Sequence, residues 1–142
     1  MLVAEDRLAN GTIRSLWATV PTEAYRSRCH YLDMQASDGT YSGFSSCGGG
    51  PASGATTVSL GGTVEHVVGD TGTWAATQVR ITAGHLVQTV PVAAGYVLVP
   101  EQFTTAAGEP LTLTLLGADG SVIGVVRDLT PLGSGAVVVP GR

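Results

Sequence analysis

A chain of 142 residues with a formal net charge of -4 fits one domain and is long enough to bury a core without covalent staples. Hydrophobic residues make up 44% and aromatics only 6%, so valine, leucine and alanine must build that core. All seven basic residues are arginine, which excludes a phosphate-loop lysine and Schiff-base chemistry, and an acidic chain without a basic stripe is not expected to bind nucleic acid.

The elements follow as short alternating runs broken by glycine and proline, with almost no helical periodicity. Residues 1–10 read as an N-terminal extension without the charged-then-apolar layout of a signal peptide. Residues 12–20 form a first strand, stopped by Pro21. The segments 26–36 and 40–47 then read as one β-hairpin about the turn Ser37-Asp38-Gly39. Centring the loop on Asp38 sets Leu32 opposite Phe44 and Cys29 opposite Cys47, the only two cysteines. A disulfide there needs no backbone rearrangement, and such bonds persist in oxidising compartments. Arg26, Arg28 and His30 share one face by period-two alternation and, with Arg14 nearby, are material for a small anion- or partner-binding patch, against the commoner role of such charges in solvating a strand edge. Residues 48–54 are a flexible glycine-rich connection.

The second half is more regular. Strands at 55–60 and 63–68 flank Gly61-Gly62, and the turn 69–72 leads into a long strand over 73–82 in which Val79 and Ile81 alternate with polar residues. Ala83-Gly84-His85 turns the chain into 86–92, and Ala94-Gly95 precedes 96–99. A loop over 100–110 follows. Leu111, Leu113 and Leu115 face a core, and Asp119-Gly120 is a two-residue hairpin signal into 122–126. The tail 129–142 adds an edge strand through 137–139. Some nine to eleven short strands in a single domain, 1–142, predict an all-β, antiparallel two-sheet β-sandwich, immunoglobulin-like in general architecture. A closed β-barrel is the alternative.

Chemistry is sparse. Ser45 and Ser46 lack the glycine pattern of a nucleophile elbow. His66, Asp70 and His85 are the one set of titratable groups from which a secreted hydrolase or metal-dependent enzyme would be built, with His66 and His85 as candidate metal ligands. Histidines on exposed turns more often hold nothing, and no cofactor is expected. Among Trp17, Trp74, Tyr25, Tyr31, Tyr41 and Tyr96 there is material for a carbohydrate platform, against the common role of aromatics in core and rim packing.

Over residues 73–126 the succession Val79-Arg80-Ile81-Thr82, Val90-Pro91-Val92, Gly95-Tyr96 and Asp119-Gly120 before Val122-Ile123-Gly124 resembles the extracytoplasmic β-domains of actinobacterial envelope proteins, including those carried by membrane-anchored anti-sigma factors. The resemblance implies a sensor or interaction domain and supplies no catalytic residue. The expectation is therefore a non-catalytic, extracytoplasmic binding or sensory module that meets a protein or cell-wall ligand, tethered to the membrane through a segment outside this chain. A structural assembly domain of pilus or phage-tail type, joined through edge strands, is a further alternative.

Overall fold

A computed structural model describes residues 1–19, 28–48, 57–61, 68–70, 76–105, 110–130 and 134–136. The chain is all-β. Its first long sheet is a meander of β1 (Leu2–Arg7), β2 (Ile13–Ala18), β3 (Arg28–Gln35) and β4 (Tyr41–Gly48), paired in chain order. Two short strands follow, β5 (Thr57–Gly61) and β6 (Val68–Asp70), then β7 (Gln78–Ala83), β8 (Leu86–Pro91), β9 (Tyr96–Leu98) and the short helix α1 (Glu101–Thr105). The chain goes on through β10 (Leu111–Leu116), β11 (Val122–Leu129) and β12 (Ser134–Ala136). The second long sheet has the order β11-β10-β7-β8, and the short strands form a third ladder, β12-β5-β6-β9. Every pairing is antiparallel.

This is the sandwich class and not the closed barrel: among the described residues each long sheet ends in open edges, β1 and β4 in one, β8 and β11 in the other. The core lies on both sides of β9. Tyr96 and Leu98 pack with Leu16, Ala18 and Leu32 of the first sheet. Val97 and Val99 pack with Val79, Ile81, Leu113 and Val126 of the second. Alternation explains this, because successive side chains of a strand leave on opposite faces. Each fully buried leucine or isoleucine here is worth about 1.5–3 kcal/mol relative to exposure.

One turn recurs three times. Ala9-Asn10-Gly11, Ser37-Asp38-Gly39 and Ala118-Asp119-Gly120 are three-residue hairpin loops whose glycines sit at φ +89, +87 and +81. In each, the Asn or Asp Oδ1 accepts the backbone N–H two residues on: Thr12 at 2.9 Å, Thr40 at 2.9 Å and Ser121 at 3.0 Å. A left-handed glycine at the third position is what this loop length requires. The Asp38 carboxyl is held below the ordinary aspartate range by hydrogen bonding to the Thr40 side chain and then to its backbone. Ser121 does the same for Asp119.

Several expectations change. Residues 2–7, read as part of an extension, are β1, and the loop 100–110 contains α1. The Asp119-Gly120 hairpin has a three-residue loop instead of two, because Gly117 rather than Ala118 closes the ladder, its N–H donating to the Ser121 carbonyl. Asp70, expected in a turn, ends β6, and a strand not expected lies at 134–136; residues 137–139 and most of the 48–54 connection lie outside the described residues.

Candidate functional site

The first sheet presents two unlike faces. Arg14, Leu16 and Ala18 of β2 are buried, whereas Ile13, Ser15 and Trp17 point the other way. Register then groups the outward residues into rows across the sheet. One row is Leu2, Trp17, Tyr31 and Ser45, the next Glu5, Ser15, Asp33 and Gly43, and the next Arg7, Ile13, Gln35 and Tyr41. Leu2, Trp17 and Tyr31 are 45%, 40% and 41% exposed, and Tyr41 is 71% exposed. Large apolar side chains gathered on one exposed face are the informative kind of exposure, unlike single scattered ones.

The polar row carries acceptors. Ser15 Oγ donates to Glu5 Oε2 at 2.9 Å. Asp33 is exposed, and among the described residues no partner holds its carboxylate. Opposite it, Gly43 must lack a side chain: a Cβ there would stand 2.5 Å from the Leu32 carbonyl oxygen and 3.5 Å from Asp33 Oδ1. The glycine keeps the strands close and leaves the acid open.

Beyond the aromatic row the sheet is pinned. Cys29 and Cys47 are directly opposed and joined by a disulfide, with Cα atoms 4.0 Å apart. Cys29 N–H donates to Thr19 Oγ1 at 2.9 Å, and Thr19 N–H donates to the Cys29 carbonyl at 2.9 Å. Three strands are thereby tied together beside Trp17 and Tyr31, and the platform is preorganised.

On the other side of β1 lies a cleft of about 520 Å³ between β1, β8 and the start of α1. Its polar groups are largely engaged in holding the fold. Glu101 Oε2 accepts the Ala9 N–H at 2.8 Å, and Gln102 Nε2 donates to Gln88 Oε1 at 2.6 Å. Arg14 is wholly buried and grips Asp6, its cross-strand partner, with Nε donating to Oδ1 at 2.8 Å and Nη2 to Oδ2. Nη2 also donates to the Val99 carbonyl at 3.0 Å, tying the first sheet to the chain just past β9.

Only part of the expected arginine-histidine patch falls within the described residues. Arg14 is this internal clamp. His30 is half-buried, its ring centroid 4.9 Å from that of Tyr96 and 5.7 Å from that of Phe44. It faces inward because it pairs with Ala18, two residues from the Leu16–Leu32 pair of the core. Arg26 lies outside the described residues, and of Arg28 only its place at the start of β3 is described. His66 and the Asp70 side chain are likewise outside them, and His85 is exposed in the β7–β8 turn. Among the described residues no group of three or more His, Cys, Asp and Glu is placed to hold a metal ion.

Of the six aromatics, Tyr96 belongs to the core, Trp17, Tyr31 and Tyr41 lie on the outer face, and Tyr25 and Trp74 are outside the described residues. Sequence reasoning missed the polar row, since Glu5 comes from a strand read as an extension. Asn10-Gly11 was the available signal, a strong hairpin dipeptide. No described helix is long and apolar enough to cross a membrane. The chain matches no family model, no curated protein and no solved structure.

Proposed function

We propose that the protein is a non-catalytic binding module that works outside the cytoplasm, as part of a cell-envelope protein, and meets its ligand with the outer face of the β1–β4 sheet. The observation that carries this reading is the exposed cross-strand pair Trp17 and Tyr31, flanked by Leu2 on one side and set above the Glu5-Ser15-Asp33 row. Exposing two large aromatics has a cost in solubility, and a ligand that covers them gives the arrangement a purpose. The Cys29–Cys47 disulfide supports an oxidising compartment.

Co-sedimentation of the purified protein with isolated envelopes of the organism that encodes it tests the proposal. Wild-type protein should sediment with the envelopes, and the Trp17→Ala/Tyr31→Ala variant should stay in the supernatant with an unchanged far-ultraviolet spectrum. Equal sedimentation of the two proteins would remove the outer face from the function. No sedimentation of wild-type protein would remove the envelope.

A further inference from the structure

We infer that the ligand of the outer face is a neutral, hydroxyl-rich oligosaccharide, an inference that rests on the binding role proposed above and specifies its chemistry. A sugar ring has two unlike surfaces. Its C–H bonds, polarised by the neighbouring oxygens, present a weakly positive apolar face, and its rim presents hydroxyl groups. An aromatic ring offers the complement of the first, with a negative π-face of large area. A carboxylate offers the complement of the second, as an acceptor with about four lone-pair sites and no donor.

The sheet places these complements side by side. Trp17 and Tyr31 form the aromatic row, and Glu5, Ser15 and Asp33 form the adjacent row, two residues along on β2 and β3 and three on β1, where the register shifts. Gly43 leaves the approach to Asp33 open from the β4 side. Tyr41 lies one more row along, 71% exposed, on the same face. Four strand residues separate the Tyr31 row from the Tyr41 row, which at about 3.4 Å per residue gives a track of roughly 14 Å. That is the scale of an oligosaccharide, longer than one ring.

Charge selects among occupants. With Glu5 and Asp33 central, Arg7 the one basic side chain in the three rows and the chain at a net -4, an anionic polymer is disfavoured, whereas a neutral glycan meets acceptors in the acidic row and donors at Arg7 and Gln35 that its hydroxyls can pair with. A purely apolar protein surface would bury Asp33 without a partner and Glu5 with only the Ser15 hydroxyl, which is costly. A second copy of this face, docked about a two-fold axis through the acidic row, would bring those rows together. The remaining competitor, a cationic peptide, would satisfy the acids and is separated by the test.

Affinity electrophoresis through gels cast with soluble neutral polysaccharides (a glucan, a mannan and an arabinogalactan) reads the interaction directly, with anionic alginate as the contrast. Retardation is expected in at least one neutral gel and not in alginate. Trp17→Ala and Tyr31→Ala should each weaken it about tenfold or more. Asp33→Asn, which keeps the shape and alters the acceptor set, should weaken it without any change in melting temperature. Periodate oxidation of isolated envelopes should abolish co-sedimentation, and protease treatment of the envelopes should leave it intact. Loss with protease but not with periodate would overturn the glycan while leaving the outer-face binding role standing. Retardation that survives both aromatic substitutions, or none in any neutral gel, would also overturn it.

Discussion

Replacing Asp6 by alanine removes the carboxylate from a guanidinium that has no access to solvent, since Arg14 is 0% exposed. The two charge-assisted hydrogen bonds to Asp6 disappear, while others, including the one to the Val99 carbonyl, remain. Breaking a buried ion pair on one side costs about 3–5 kcal/mol. The Asp6 side chain is itself 32% exposed, so water can enter where the carboxylate stood, and the lower end applies: about 3 kcal/mol. Arg14→Met fills much of the same volume and leaves an aspartate that water can solvate, so its cost should be smaller, about 1–2 kcal/mol, mostly for the unsatisfied Val99 carbonyl. The double variant should then be no less stable than Asp6→Ala alone, because the stranded charge has gone. Urea denaturation of the four proteins closes the cycle. In thermal melts Asp6→Ala should fall by roughly 10 °C. A loss below about 1 kcal/mol for Asp6→Ala, with no coupling between the two sites, would refute the reasoning and reduce the clamp to a surface ion pair.

Further outcomes follow from the turns and the bridge. Reducing the Cys29–Cys47 disulfide, whose partners are separated by 18 residues, should cost about 3 kcal/mol by the chain-entropy model, seen as a lower melting temperature in reductant; an unchanged melt would sink it. Ala94 and Gly95 are the two central residues of the β8–β9 turn, with φ of 54° and 81°, a pair of values suited to Asn-Gly. Ala94→Asn should therefore stabilise the protein by up to about 1 kcal/mol in urea titrations, and destabilisation would contradict the turn assignment. Asp38 and Asp119 titrate below the ordinary range in the folded protein, so the stability they contribute is present at neutral pH and lost as pH falls through their depressed pKa values. The Asp38→Asn/Asp119→Asn variant should show a shallower acid limb in melting temperature against pH; an identical limb would remove those carboxylates from the acid response.

The cysteine hairpin was legible to the residue: Cys29 opposes Cys47 and Leu32 opposes Phe44, because loop length and turn chemistry fix register wherever glycine takes the left-handed position. The buried leucines of β10 were legible for a related reason, strict alternation with threonine. β1 was not. Its sequence Leu-Val-Ala-Glu-Asp-Arg ends in three charges, and only the fold shows that one of them, Asp6, has a buried arginine waiting on β2. The inward placement of Arg14 and His30 is not legible in the sequence, because period-two alternation says which residues share a face but not which face is inside. The aromatic candidates could be named from sequence, and their sorting into Tyr96 within and Trp17 and Tyr31 without depends on strand partners far apart in the chain.

β9 is three residues long, yet both of its faces are buried, Tyr96 and Leu98 in one core and Val97 in the other. Neither long sheet hydrogen-bonds to the other among the described residues. This small strand therefore acts as a keystone. It cannot leave one core without vacating the other, so opening of either sheet is expected to carry the other with it, and the two halves to melt as one cooperative unit. A load applied at Trp17 and Tyr31 passes through Leu16 and Leu32 to β9, and from there to the opposite sheet, whose strands lie away from that outer face.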